Sequence, residues 1–234
     1  MWPSYCMWLR RDCDRGLRKD FHNVSGETMG QDLVLRTHRV TYVHCRSSVI
    51  DTIRDACESD DNAALCYHYC RFSDASTISP ERLLGAIICQ VLKSTETEIP
   101  ASLTKLFRRY RARSSPPCIR DLHPVLEDLL QAIPISFIII DGLDEVQDRS
   151  ELVLIMANLS SRLRGCTCKV FLSSRPEADL FKAFGSWEHT VTIRTADIAA
   201  DMEKYVTRGI GRLRLDQEAA DVLAHELVKR ADGV

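Results

Sequence analysis

Residues 137–145 read FIIIDGLDE, and the reading of this stretch decides the fold. Ile135 and Ser136 precede it, and from Phe137 the run is apolar without interruption until Asp141. Continuous burial of this kind suits a central strand of a parallel sheet, covered on both faces. Gly142 permits a tight turn out of the strand, and Asp144 and Glu145 follow at its tip. Asp-Gly is a common turn dipeptide in its own right. Aromatic and β-branched residues leading straight into D-G-x-D-E nevertheless mark a strand that delivers acids to one place.

Working outward, a second buried strand is expected over residues 168–176, CKVFLSSRP, stopped by Pro176. One amphipathic helix, residues 150–164, separates it from the first. On the N-terminal side, residues 64–72, ALCYHYCRF, alternate and are aromatic, which predicts a strand. Ser79 and Pro80 open an almost wholly apolar helix, Ser79 as cap and Pro80 at the first helical position. Helices are expected over 47–57, with Ser47 or Ser48 as cap, and over 100–113 and 119–133. Beyond the second motif come a short helix over 177–184 and a strand over 189–195. Asp197 then caps a helix to about Thr207, and Gly233 stops a final one. Residues 38–44, HRVTYVH, have strand composition, and the charged stretch 8–23 suits a helix. Strands alternating with helices imply an α/β fold, a parallel sheet with helices on both faces. The expected division is an irregular segment over 1–44, an α/β core over 45–195, and the start of a helical region over 196–234 that continues in a larger architecture.

The 234 residues suffice for one sizeable core, and 45% hydrophobic with 27% charged residues is ordinary globular composition. A formal net charge of −2 argues against protein-wide attraction to nucleic acid. Arg108, Arg109, Arg111 and Arg113 read as a solvated helix face. No stretch reaches the about 18–20 apolar residues of a membrane span. No secretory signal is legible, so the ten cysteines read as reduced thiols of a cytoplasmic protein. Cys66, Cys70 and Cys89 are expected in the core. Cys166 and Cys168 have no partner set at zinc spacing. His68 reads as a half-buried structural residue.

Three observations carry the chemistry. In P-loop NTPases an apolar strand brings an Asp to the Mg²⁺ beside the phosphates, a place that Asp141 fits; an acid at the tip, Asp144 or Glu145, then orients or deprotonates water. Ser173-Ser174-Arg175-Pro176 ends the neighbouring strand at the same sheet edge, where ligands of open α/β sheets bind, and Arg175 is placed to sense a terminal phosphate. The third observation is that the phosphate cradle G-x-x-x-x-G-K-[ST] is not found: the chain contains no Gly-Lys dipeptide. Gly26 and Gly30 are one residue too close together and are followed by Gln31-Asp32.

FIIIDGLDEV followed by KVFLSSRPE strongly resembles the NACHT-type NTPase module of fungal NOD-like receptor proteins, a STAND-class switch, in the form called the nephrocystin-3-like N-terminal domain. Residues 64–92 resemble that family's second strand and following helix, SSVIDTIRD the end of its first helix, and ADIAADMEKYV the segment before its final helices. The resemblance covers roughly residues 45–234. It implies Mg²⁺ with ATP or GTP as a conformational switch that drives self-assembly or binding of protein partners. By position it makes Asp141 the metal acid, Asp144 and Glu145 the catalytic acids, and Arg175 the phosphate sensor. It also places Tyr42 where the phosphate-loop Lys belongs and Val43 where the Ser/Thr belongs. Decay of the loop, a deletion and a mis-joined reading frame all account for this departure. Three functions follow in order: a switch module degenerate in nucleotide binding, a protein-interaction scaffold, and an active hydrolase with an unorthodox phosphate loop.

Overall fold

A computed structural model describes residues 5–10 and 42–231, apart from residues 59, 61, 95–97, 114, 188, 194, 212, 214 and 215. In chain order the elements are β1 (Tyr5–Arg10), α1 (Tyr42–Glu58), β2 (Ala63–Tyr69), α2 (Pro80–Ser94), α3 (Ala101–Tyr110) and α4 (Ile119–Gln131). Next come β3 (Ile135–Asp141), a 3-10 turn (Leu143–Glu145), α5 (Ser150–Arg162), β4 (Thr167–Ser174), α6 (Ala178–Phe184), β5 (His189–Ile193), α7 (Thr195–Ile210) and α8 (Gln217–Ala231).

The strand that opens the sequence argument is at the centre of a parallel trio. β3 pairs in parallel with β2 on one side and β4 on the other, and six of its seven residues, Ser136 to Asp141, are buried. Alternate side chains divide the core. Ile138 and Ile140 join Leu84, Ile87, Leu126 and Leu159 in the larger cluster, built with α2, α4 and α5. Phe137 and Ile139 face the other way, against Val49, Ile50 and Ile53 of α1. Helices on both faces explain why this strand is apolar throughout rather than alternating.

The five-stranded sheet runs β2-β3-β4-β1-β5. β1 is antiparallel to both β4 and β5, so β2, β3, β4 and β5 all point one way and β1 alone is reversed. Cys6 lies opposite Ser174 and Arg10 opposite Val170. The chain therefore leaves β1 at the edge where the other strands begin, remote from the edge where Asp141 ends β3.

β2 closes the sheet on its other side, and its outer backbone is not left open. The Gln90 amide on α2 donates to the Tyr67 carbonyl at 2.9 Å and accepts from the Tyr67 N–H at 3.0 Å. A side-chain amide thus stands in for a missing strand at an edge that would otherwise invite pairing.

Several expectations change. Trp8 to Arg10 are strand rather than helix, and the rest of the 8–23 stretch lies outside the described residues. Tyr42, Val43 and His44 open α1 instead of ending a strand, so Ser47 and Ser48 lie inside that helix and do not cap it. Here the amphipathic period of the whole helix outweighs the β-preference of a few residues at its start. β2 stops at Tyr69 and not at residue 72: Cys70 N–H still reaches the Asp141 carbonyl of β3, but from Arg71 the chain turns, with Asp74 N–H on the Arg71 carbonyl and Arg71 N–H on the Thr77 hydroxyl. Asp197 lies within α7, which begins at Thr195. Cys89 is exposed while Cys66 and Cys70 are buried, since it falls on the outer phase of α2. Gly233 is outside the described residues.

Candidate functional site

Two strand tips make the site. β3 ends at Asp141, and β4 runs beside it in register, with Asp141 opposite Ser173. The Asp141 side chain is buried and its Oδ1 accepts a short hydrogen bond from the Ser173 hydroxyl. The Ser173 carbonyl in turn accepts from Gly142 N–H at 3.0 Å. A carboxylate that is 6% exposed needs such a donor, because burial without one costs several kcal/mol.

Gly142 turns the chain out of the strand with φ of +75°, a region that only glycine enters freely. A side chain there would also meet the Cys70 carbonyl at 3.0 Å. The 3-10 turn that follows carries both remaining acids. Asp144 Oδ1 accepts from the Arg175 backbone N–H at 3.0 Å. The Arg175 guanidinium lies 3.7 Å from Asp144 Oδ2 and 4.0 Å from Glu145 Oε1. Arg175 is 44% exposed at its side chain, against 7% for Asp144. The structure thus brings Asp144, Glu145 and Arg175 into one charge cluster at the sheet edge, next to Asp141.

Beside the acids sits Cys70, whose thiol is pushed up to about 12 by burial first and by the charges of Asp141, Asp144 and Glu145 second. It is a neutral wall to the cluster, not a nucleophile.

Residues the sequence did not single out complete the geometry. Arg149 donates to the Asp144 carbonyl at 2.7 Å and to both oxygens of Asp179 at 2.8 and 2.9 Å. Asp148, with φ of +47°, turns the chain so that Arg149 meets the strand tips, and Gln147 N–H anchors this loop to the Ile78 carbonyl at 3.2 Å. The hydrogen bond to Arg149, foremost, holds the Asp179 carboxyl below its usual range. In sequence Arg149 looks like any Arg ahead of a helix, and its partner lies thirty residues on.

The donor set can be weighed against Mg²⁺ and a nucleotide. Asp141 offers the hard oxygen that Mg²⁺ takes, but Mg²⁺ in such sites is otherwise held by phosphates and water. No group of three or more His, Cys, Asp or Glu placed to hold a metal occurs among the described residues. A strand leading into a phosphate loop must end at the Asp141 edge, and β1 ends at the opposite one. Among the described residues the site thus offers one carboxylate oxygen for Mg²⁺ at Asp141 and no phosphate cradle at the end of β1.

The chain matches the family described as Nephrocystin 3, N-terminal over residues 44–175, more than half its length. The chain belongs to this family. The match begins at the third residue of α1 and ends on Arg175, so both strand tips of the site lie inside the nephrocystin 3 N-terminal region and β1 lies outside it. Comparison with curated proteins and with solved structures gives no match.

Proposed function

We propose that this chain is a nucleotide-switch module of NACHT or STAND type, as in fungal NOD-like receptors, that has lost phosphate binding and works through protein contacts or self-assembly in signalling or self/non-self recognition. In this reading Asp141 descends from a metal acid, Asp144 and Glu145 from catalytic acids, and Arg175 from a phosphate sensor. The module comprises a core over 45–195 and the first helices of a second region over 196–234. A cytoplasmic place belongs to the same proposal; no helix of the described residues is long and apolar enough to cross a membrane.

The observation that carries the proposal is the direction of β1. The slot between β4 and β5 is filled by a strand whose C-terminal end faces away from Asp141. The sequence supplies no Gly-Lys pair, and Tyr42 opens α1 where the family's Lys would stand. A triphosphate is held by a nest of backbone N–H groups, a Lys and Mg²⁺ together. Charged hydrogen bonds contribute about 1.5–3 kcal/mol each, so losing the Lys and two or three amides removes roughly 5 kcal/mol or more. At about 1.4 kcal/mol per tenfold, micromolar affinity falls beyond millimolar.

A second reading, an active ATP or GTP hydrolase with an unorthodox loop, draws support from the close grouping of Asp141, Asp144, Glu145 and Arg175. Calorimetric titration with Mg·ATP and Mg·GTP, combined with phosphate release, decides between the two. No saturable binding below millimolar and no release are expected. Micromolar affinity, or turnover abolished by Asp141→Ala, would overturn the proposal.

A further inference from the structure

Arg149 belongs to neither motif, yet its guanidinium ties the turn after β3 to the helix after β4. One end of its fork takes the two oxygens of Asp179, in the first turn of α6. The other takes the carbonyl of Asp144 at 2.7 Å. Glu177 Oε2 lies 3.8 Å away on the same side as Asp179. The Arg149 side chain is 17% exposed and that of Asp179 50%, so the pair is covered from the Arg149 side only, and the planar guanidinium matches a carboxylate in the bidentate manner that a Lys cannot reproduce.

We propose that Arg149 is a positioning residue that couples α6 to the Asp144 turn, a device that rests on reading that turn as the moving part of a switch. A shift of α6 is transmitted through Asp179 and Arg149 to the Asp144 backbone. From there it reaches Arg175, whose N–H is held by Asp144 Oδ1. The two strand tips and the helix beyond them then move as one body. Support of the sheet does not require this contact. β3 and β4 are already joined in register from Ile135–Thr167 to Asp141–Ser173, and Arg149 acts past the last of those pairs.

Amide exchange followed by NMR on the whole chain, without nucleotide, tests the coupling. The reporters are Glu145 N–H on the Gly142 carbonyl, Val146 N–H on the Leu143 carbonyl and Arg175 N–H on Asp144. Asp179→Ala, a change made on α6, is expected to speed exchange at all three by about tenfold or more, the scale of one charged contact. Ile138, Ile139 and Ile140 should keep their protection. Adding Arg149→Ala should bring clearly less than its effect in the parent chain, because part of the same link has already been cut, and Arg149→Lys alone should keep only part of the protection. Unchanged reporters, additive effects of the two Ala substitutions, or an acceleration shared equally with Ile138–Ile140 would each overturn the proposal. Should Asp179→Ala fail to fold, Asp179→Asn keeps the volume and is judged by the same criteria. Micromolar binding of Mg·ATP would overturn the proposed function while leaving these exchange ratios as they are, so the two failures are distinguishable.

Discussion

Gly142 is where the backbone of the site is least replaceable. Its φ of +75° and the 3.0 Å approach that a Cβ would make to the Cys70 carbonyl act together. Gly142→Ala is expected to cost between about 1 and 3 kcal/mol, measured by urea denaturation; a loss below a few tenths would show that the turn relaxes freely. The thiols make a second prediction. Burial, foremost, pushes Cys57 up to about 11 and Cys66 and Cys70 to about 12, from an ordinary 9.0. The folded chain thus holds these protons more tightly than the unfolded one. That contribution is complete below pH 9 and is lost as pH rises toward 11 and 12. The denaturation midpoint should therefore fall steadily above pH 9, and less steeply in a Cys66→Ala, Cys70→Ala variant. At pH 8 Cys70 should resist iodoacetamide while the exposed Cys89 and Cys118 react, as read by peptide mass mapping. Equal labelling would contradict its burial.

Among the elements, what the sequence made legible follows from where the information lies. β3 and β4 carry theirs locally, as the apolar runs Phe137–Ile140 and Val170–Leu172 ended by Asp141 and by Ser173 to Pro176, and the structure places them as adjacent parallel strands. The helices α2, α4, α5 and α6 are equally local, set by the spacing of Leu83, Ile87 and Val91 or of Leu122, Leu126 and Leu129. The beginning of α1 was not, because Val40, Thr41, Tyr42 and Val43 favour a strand until a sheet face is present for Val49, Ile50 and Ile53 to cover. Arg149 and Gln90 were missed for a related reason: their partners lie thirty and twenty-three residues away, and nothing in either neighbourhood announces the pairing. The Gln90 contact makes an element-scale prediction. Gln90→Ala leaves the Tyr67 N–H and carbonyl at the edge of β2 to water, at a cost of about 1–2 kcal/mol for two neutral hydrogen bonds. It should also raise self-association through the exposed edge. Equilibrium denaturation and light scattering read the two effects, and a variant equal to the parent in both would remove the role assigned to Gln90.

Across the whole molecule the reversed strand has the widest consequence. β1 joins β4 through five register pairs and β5 through another five, and in the strand order β5 reaches the rest of the sheet only by way of it. β2, β3 and β4 share the larger and smaller clusters of buried residues with α1, α2, α4 and α5, whereas β5 is only half-buried or exposed along its length and is in neither. Stability should therefore divide unevenly. The parallel trio is one cooperative unit, and β5 is an attachment whose order is conditional on β1. Deleting residues 1–10 is expected to leave Ile138–Ile140 strongly protected from amide exchange while His189–Ile193 exchange near the unprotected rate, since a lone strand has no ladder of its own. β4 then becomes an open edge, so Val170 and Leu172 should lose part of their protection and the variant should self-associate more readily than the parent. If β5 instead stays protected in the deletion variant, it must have found β4 directly. The slot between β4 and β5 would then be one the sheet closes without β1, and the direction of β1 would no longer bear on whether a phosphate loop belongs there. The same measurement thus tests both the cooperativity of the sheet and the main support for a switch module without its nucleotide.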